Sequence, residues 1–374
     1  MKYMKVLVSL SLTCILSTSI YLETANASGG ETKSNVGITF KEPYKPDLKP
    51  DPDPRPDGPI EHDSGAVVLA SGEKYTDVLT ASVLANELDT SLLLTQKENI
   101  SENTVKEIKR LNAKMIIVIG GTDSVSKSIE DKLSQYEVRR LGGLNRYSTS
   151  VKIAEEVRRL TGTDSKAVLV SGVDFPDIIS ISSFASLNKE PILITETSKL
   201  TKETADVISK WNISEITIGG GYRSVSKNIE ADIKLSKVSR MGGIDRYETA
   251  RIISENVRKL TGNTEDMVLV DGTNFPDGIC INSLANLFKA PILLTKPESL
   301  HKTVVDEVEN YGIQYAMIGG GYQSVTRNTE SELRVENIER IYGDNRYDTA
   351  VKISQRYSNK TRPLGINQRA EWKN

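Results

Sequence analysis

The sequence predicts an α/β protein assembled from three tandem parallel-sheet domains of about 100 residues each. Three observations carry that expectation. Four landmarks return three times at a spacing of 100 residues, as in "LGGLNRY" at 141–147, "MGGIDRY" at 241–247 and "IYGDNRY" at 341–347. Within each copy, short β-branched runs alternate with segments of helical periodicity, strand then helix four times over. The strands, "KMIIVIG" and "AVLVSG" among them, are apolar almost throughout, as strands covered on both faces must be.

In chain order, residues 1–27 have the layout of an export signal: Met1, Lys2 and Lys5, then "VLVSLSLTCILSTSIYL", then "ANA" at 25–27. Cleavage there starts the mature chain at Ser28. An uncleaved membrane anchor is the alternative, disfavoured by the Ser and Thr residues inside the apolar stretch. No other stretch is long and apolar enough to span a bilayer, so no membrane span is expected after cleavage. Cys14 is not preceded by the small residues that precede a lipid-modified cysteine. With Cys14 removed, Cys280 has no partner within the chain, and the fold must rest on packing alone.

Residues 28–63 hold more than half of the 13 prolines, alternating with Asp and Lys, and too few large apolar residues to fold. They read as an extended, semi-rigid spacer, or as a plain disordered tail. The three copies follow at 64–163, 164–263 and 264–362, and residues 363–374 form a tail. The first landmark is "AVVLASGEKYTDVLTAS" (66–82), "AVLVSGVDFPDIISIS" (167–182) and "MVLVDGTNFPDGICIN" (267–282). The second is "SLLLT" at 91, "PILIT" at 191 and "PILLT" at 291. The third is "VIGGTDSVS" at 118, "IGGGYRSVS" at 218 and "IGGGYQSVT" at 318, and the fourth is the Arg-Tyr stretch. Helical periodicity marks "SENTVKEIKRLNA" (101–113) and "STSVKIAEEVRRL" (148–160).

Composition narrows the function. At 374 residues, 38% hydrophobic and 26% charged, the chain is ordinary globular material with a net charge of −2. Outside signal and spacer, basic and acidic residues are equal in number, so net charge advertises no nucleic acid, and anion binding needs local clusters. Gly120 and Gly121, with their counterparts in the other copies, stand where a strand hands over to a helix, but follow no phosphate-loop spacing. No cofactor is expected. Asp77, Asp177 and Asp277 stand where a side chain caps a helix. His62 and His301 are the only histidines and neither recurs, so no catalytic or metal-binding set is expected. The recurring arginines remain. Arg140, Arg240 and Arg340 end a strand, while Arg146, Arg246 and Arg346 open the next helix, behind Asn145, Asp245 or Asn345 as its cap. They are either structural ion-pair partners or a repeated fork for phosphate or carboxylate oxygens.

At these landmarks the chain resembles the type 2 cell-wall-binding repeat of Gram-positive bacteria. "SGVDFPDIISIS", "PILIT", "ITIGGGYRSVS" and "RMGGIDRYETA" of the middle copy follow that family's pattern in order and spacing, and the resemblance covers roughly residues 64–360. It implies three Rossmann-like or Toprim-like domains around a pseudo-threefold axis. It also implies a non-catalytic, secreted protein of the cell wall and cell surface, held non-covalently on an anionic cell-wall polysaccharide, with surface-layer proteins as further candidate partners. Carried over by position, the family's I-L-L motif is Ile192, Leu193 and Ile194 in the second copy, Ile292, Leu293 and Leu294 in the third, and Leu92, Leu93 and Leu94 in the first. The same triplets read as a buried strand. The first copy departs with "YTD" for "FPD" and Ser91 for proline, and the third puts Tyr342 where Gly142 and Gly242 stand. Family members usually carry another domain. Here only "RPLGINQRAEWKN" follows, so the chain is expected to be either an anchor with a spacer or a truncated piece. A structural surface-layer component and an enzyme on an α/β scaffold are the alternative readings.

Overall fold

The computed structural model describes residues 65–360 apart from Thr76 and Leu79. The expected signal, spacer and tail lie outside the described residues. The first copy contains β1 (Ala66–Ser71), α1 (Ala81–Glu87), β2 (Leu92–Thr95), α2 (Glu102–Arg110), β3 (Met115–Ile119), α3 (Lys127–Lys132), β4 (Glu137–Leu141) and α4 (Arg146–Thr161). The second contains β5 (Lys166–Ser171), α5 (Pro176–Leu187), β6 (Ile192–Thr195), α6 (Lys202–Lys210), β7 (Glu215–Gly219), α7 (Lys227–Ile233), β8 (Lys237–Met241) and α8 (Arg246–Thr261). The third contains β9 (Asp266–Asp271), α9 (Pro276–Cys280), α10 (Asn282–Leu287), β10 (Ile292–Thr295), α11 (Lys302–Tyr311), β11 (Tyr315–Gly319), α12 (Arg327–Glu332), β12 (Asn337–Ile341) and α13 (Arg346–Ser358). Each copy forms one four-stranded parallel sheet, in the orders β2-β1-β3-β4, β6-β5-β7-β8 and β10-β9-β11-β12.

Local chemistry sets the helix ends. Asn145, Asp245 and Asn345 cap α4, α8 and α13, each accepting from backbone N–H groups of the first turn. Gly162 and Gly262 close α4 and α8 with φ of 68° and 72°. Pro176 and Pro276 open α5 and α9, where a fixed φ is already helical. The first copy has Thr76 at that place, and its α1 begins only at Ala81. In the third copy the helix is interrupted at Ile281. Gly278 lies inside α9 because a Cβ there would stand 2.8 Å from the Ile179 side chain.

Side chains alternate across each sheet with the period of two that strands impose. Val68, Val168 and Val268 face a single apolar cluster that runs through all three copies. Their neighbours Leu69, Leu169 and Leu269 face three separate outer clusters, one for each copy. At the centre of the shared cluster α1, α5 and α10 pack on one another about a pseudo-threefold axis. The last helix of each copy lies on the next: α4 on β6 and α6, α8 on β10 and α11, and α13 back on β2 and α2. The ring is therefore closed, and one edge strand of each sheet, β2, β6 or β10, is covered by a helix of the preceding copy.

The three joints differ in their polar chemistry. Between the second and third copies Arg258 meets Glu307 at 3.1 Å with both side chains 2% exposed, and Ser254 donates to the same carboxylate at 2.8 Å. Between the third and first, Ser354 donates to Glu107 at 2.6 Å and the Tyr357 hydroxyl to Asp89 at 2.6 Å. Between the first and second the equivalent of these glutamates is the buried Val207, and the Arg158 guanidinium lies 4.4 Å from the centre of the Trp211 ring.

A shared core and a closed ring predict one cooperative transition in calorimetry, with van't Hoff and calorimetric enthalpies equal; three separable transitions would contradict it. Glu307→Ala strands the buried Arg258 charge and should cost about 3–5 kcal/mol in urea unfolding.

Candidate functional site

The landmark glycines and the Arg-Tyr pairs meet between copies. Arg146 donates from Nη1 to the Gly172 carbonyl at 2.6 Å, Arg246 to Gly272 at 2.5 Å, and Arg346 to Gly72 at 2.6 Å. The tyrosine that follows each arginine covers the same glycine. A Cβ on Gly72, Gly172 or Gly272 would lie 2.8, 3.2 or 3.0 Å from the ring of Tyr347, Tyr147 or Tyr247. This joint stands at the carboxyl ends of the strands, where α/β sheets present ligand sites. Near the axis Tyr75, Phe175 and Phe275 form a triangle with ring centres 5.8–6.1 Å apart. Arg146, Arg246 and Arg346 lie 6.0, 5.9 and 5.8 Å from the ring centres of Tyr75, Phe175 and Phe275 respectively. All three guanidinium-bearing residues are partly exposed.

Arg140, Arg240 and Arg340 are held differently. Their side chains are 12, 12 and 6% exposed, and each pairs with Glu130, Glu230 or Glu330 at 2.6–2.8 Å. Each also donates to a glycine carbonyl, that of Gly120, Gly220 or Gly320. They tie the Gly-Gly turn to the following helix within one copy.

Ile192, Leu193, Ile194, Ile292, Leu293 and Leu294, which the resemblance offered as polymer contacts, are 0–1% exposed. The first and third of each triplet enter the shared cluster and the middle one an outer cluster, so no face of these strands meets solvent. Leu92, Leu93 and Leu94 are disposed in the same way.

Asp77, Asp177 and Asp277 do not cap helices, as the sequence suggested. The residues at the N-cap positions, Phe175 and Phe275, make no side-chain cap bond, and Asp177 and Asp277 sit one residue inside Pro176 and Pro276. The carboxylates instead face Gly120, Gly220 and Gly320, whose φ values of 96, 114 and 102° place them in the left-handed region. Ser124 and Ser324 donate to Asp77 and Asp277 there. Burial pushes the Asp177 carboxyl up to about 6 against the opposing Ser224 hydrogen bond, and it raises Asp277 in the same way. His301 caps α11 and stacks on Tyr247 at 4.1 Å between ring centres. Cys280 is buried, which pushes its thiol up and makes it inert. Among the described residues no group of three metal-ligating side chains comes together.

Tyr342 stands in the third copy where the first two have glycine. A Cβ on Gly142 or Gly242 would lie 2.5 or 2.1 Å from the Gly120 or Gly220 carbonyl oxygen. In the third copy the side chain is accommodated, 45% exposed, with its ring centre 5.8 Å from that of Tyr322.

Residues 31–130, 140–230 and 240–330 each match the sequence pattern of cell wall binding domain 2, most of the chain in all. The chain belongs to the cell wall binding domain 2 family. The second and third matched stretches begin inside β4 and β8, at Arg140 and Arg240, so the family's frame is offset from the unit that forms one sheet. The chain is 29% identical over 273 residues to the N-acetylmuramoyl-L-alanine amidase LytC of Bacillus subtilis, covering 72% of the chain and 53% of that protein. It is 32% identical over 276 residues to the amidase enhancer of the same organism, covering 72% of the chain and 37% of that protein. Among solved structures, Cwp6 from Clostridium difficile superposes with a TM-score of 0.60 at 26% identity, over 78% of the chain and 44% of that structure. Cwp8 from the same organism gives 0.57 at 25%, over 80% and 48%. The chain thus spans about half or less of the length of these proteins. Family membership makes it a cell-wall-binding protein with three tandem α/β modules. Among the described residues no helix is long and apolar enough to cross a membrane.

The raised Asp177 fixes a pH dependence. Its native carboxyl holds a proton that the unfolded chain, with the ordinary value of 3.8, has already lost, so stability falls as pH rises from 3.8 to about 6. Asp177→Asn keeps an oxygen for Ser224 and should add up to about 3 kcal/mol near pH 7, converging with the unsubstituted protein below about pH 4. Urea unfolding across that range measures it.

Proposed function

We propose that the chain is a non-catalytic anchor that binds an anionic cell-wall polysaccharide non-covalently through Arg146, Arg246 and Arg346. The observation that carries this reading is the recurrence of one partly exposed guanidinium at each joint, each committing Nη1 to a glycine carbonyl, with Arg246 also reaching Asp174 through Nη2. A guanidinium held this way is oriented in advance, and its remaining N–H groups match the paired oxygens of a carboxylate or phosphate. The neighbouring aromatic rings lower the cost of holding the cation and give a flat apolar surface beside it. On this reading Arg140, Arg240 and Arg340 set the turn, and the Ile192–Ile194 and Ile292–Leu294 strands fix the spacing of the joints without touching the polymer. Membership of a cell-wall-binding family supports the location at the cell surface, and export by residues 1–27 is part of the same proposal.

Several weak sites on one rigid frame gain avidity of about 10²-fold if a single polymer chain reaches them together. Purified Gram-positive walls should therefore co-sediment the protein, walls stripped of their anionic polymer should not, and about 1 M salt should release it. Retention through hot detergent and high salt would contradict a non-covalent anchor.

A further inference from the structure

The three arginine forks are not in the same state. Arg246 donates from Nη2 to the Asp174 carboxylate at 3.2 Å while its Nη1 holds Gly272. Asp174 precedes Phe175 in the second copy, and the residues at that place in the first and third copies are Lys74 and Asn274. Among the described residues, Arg146 and Arg346 have no carboxylate on their second arm; each makes its glycine bond and lies beside its ring. Lys74 turns away, donating to the Asp123 carbonyl at 2.9 Å. Asp177 lies near Arg246 as Asp277 lies near Arg346, but the buried Asp271, beside the Gly272 that Arg246 bonds, is a further acid near this fork alone, since the other copies have Ser71 and Ser171 there.

We propose that Asp174 is a built-in occupant of the second fork, so that only Arg146 and Arg346 are open to ligand, and that the ligand group is a carboxylate or phosphate that takes the place Asp174 takes at Arg246. The inference rests on the arginine reading above and deepens it. Two forks on the frame are then ligand-binding as the chain stands, and the third is released only when Asp174 is displaced. The pair is partly exposed, 33% for Arg246 and 56% for Asp174, so the occupant is held loosely enough to be exchanged by a polymer of sufficient charge.

Each fork can be tested by the same substitution. Arg146→Gln, Arg246→Gln and Arg346→Gln all lose one bond to a glycine carbonyl, and Arg246→Gln also removes the cation near Asp271, so melting temperatures separate that structural cost from the effect of the second arm on binding. Asp174→Asn introduces the residue of the third copy. Asn274 accepts from the Phe275 N–H at 3.0 Å as Asp174 accepts from the Phe175 N–H at 2.9 Å, so the turn survives and only the charge is lost. The probes are poly(glycerol phosphate) as the phosphate source, polygalacturonate as the carboxylate source, and polymer-bearing walls, each titrated against the full chain with melting temperatures recorded alongside.

With whichever probe binds, Arg146→Gln and Arg346→Gln should each weaken binding at least about fivefold, Arg246→Gln less than about twofold, and Asp174→Asn should strengthen it at least about threefold. The preferred probe identifies which anionic oxygen donor fits the fork. Equal losses at the three arginines, or no gain from Asp174→Asn, would overturn the occupied-fork inference while leaving the arginine reading in place. Failure of the unsubstituted chain to bind walls or either polymer would overturn the arginine reading itself.

Discussion

The bond from a guanidinium of one copy to a glycine carbonyl of the next is the interaction on which the assembly turns. It is charge-assisted, short, and repeated three times, the third time across the ends of the ring from Arg346 to Gly72. It favours a glycine, because a Cβ there would stand only 2.8–3.2 Å from the ring of the tyrosine beside each arginine. Glycine, arginine and tyrosine therefore recur together for one steric and electrostatic reason. A bond of this kind contributes about 1.5–3 kcal/mol, enough to bias the geometry of a joint but not to hold it without the apolar contacts beneath.

Those contacts explain the second landmark. The short strands β2, β6 and β10 are edges of their sheets, and an uncovered edge invites association. Each is roofed by the last helix of the preceding copy, so all three residues of the Leu92, Ile192 and Ile292 triplets are buried. The triplet is an inter-copy packing element, and its apolar character follows from being covered twice, by its own copy and by its neighbour. Closure of the ring is what lets one apolar cluster run through all the copies rather than end at an exposed face.

Equivalent positions then diverge where closure leaves room. Glu107 and Glu307 occupy a buried joint position that is Val207 in the second copy, and each solution is internally consistent: a paired charge in one case, an apolar contact with a stacked arginine in the other. Asp174 against Lys74 and Asn274, and Tyr342 against two glycines, are divergences in the loops at the carboxyl ends of the strands. The recurring Asp177 and Asp277 illustrate the opposite pressure. A carboxyl is retained in burial, where it holds its proton more tightly, because its oxygens face a left-handed glycine turn and accept from a serine 47 residues further along the chain.

The sequence by itself determined the repeat, the parallel α/β class and the caps at Asn145, Asp245 and Asn345. These are properties of short stretches: periodicity, turn chemistry and a spacing visible because the copies stand side by side in one chain. It could not distinguish Arg140 from Arg146, since both are arginines flanking the same loop. Only the fold decided that one is sealed by Glu130 and the Gly120 carbonyl while the other reaches into the next copy. Nor could it tell that Asp177 locks a turn rather than capping a helix, or that Asp174 lies against Arg246, 72 residues away. Such pairings depend on how strand ends converge about the pseudo-threefold axis, and that convergence is set by packing between elements distant in sequence.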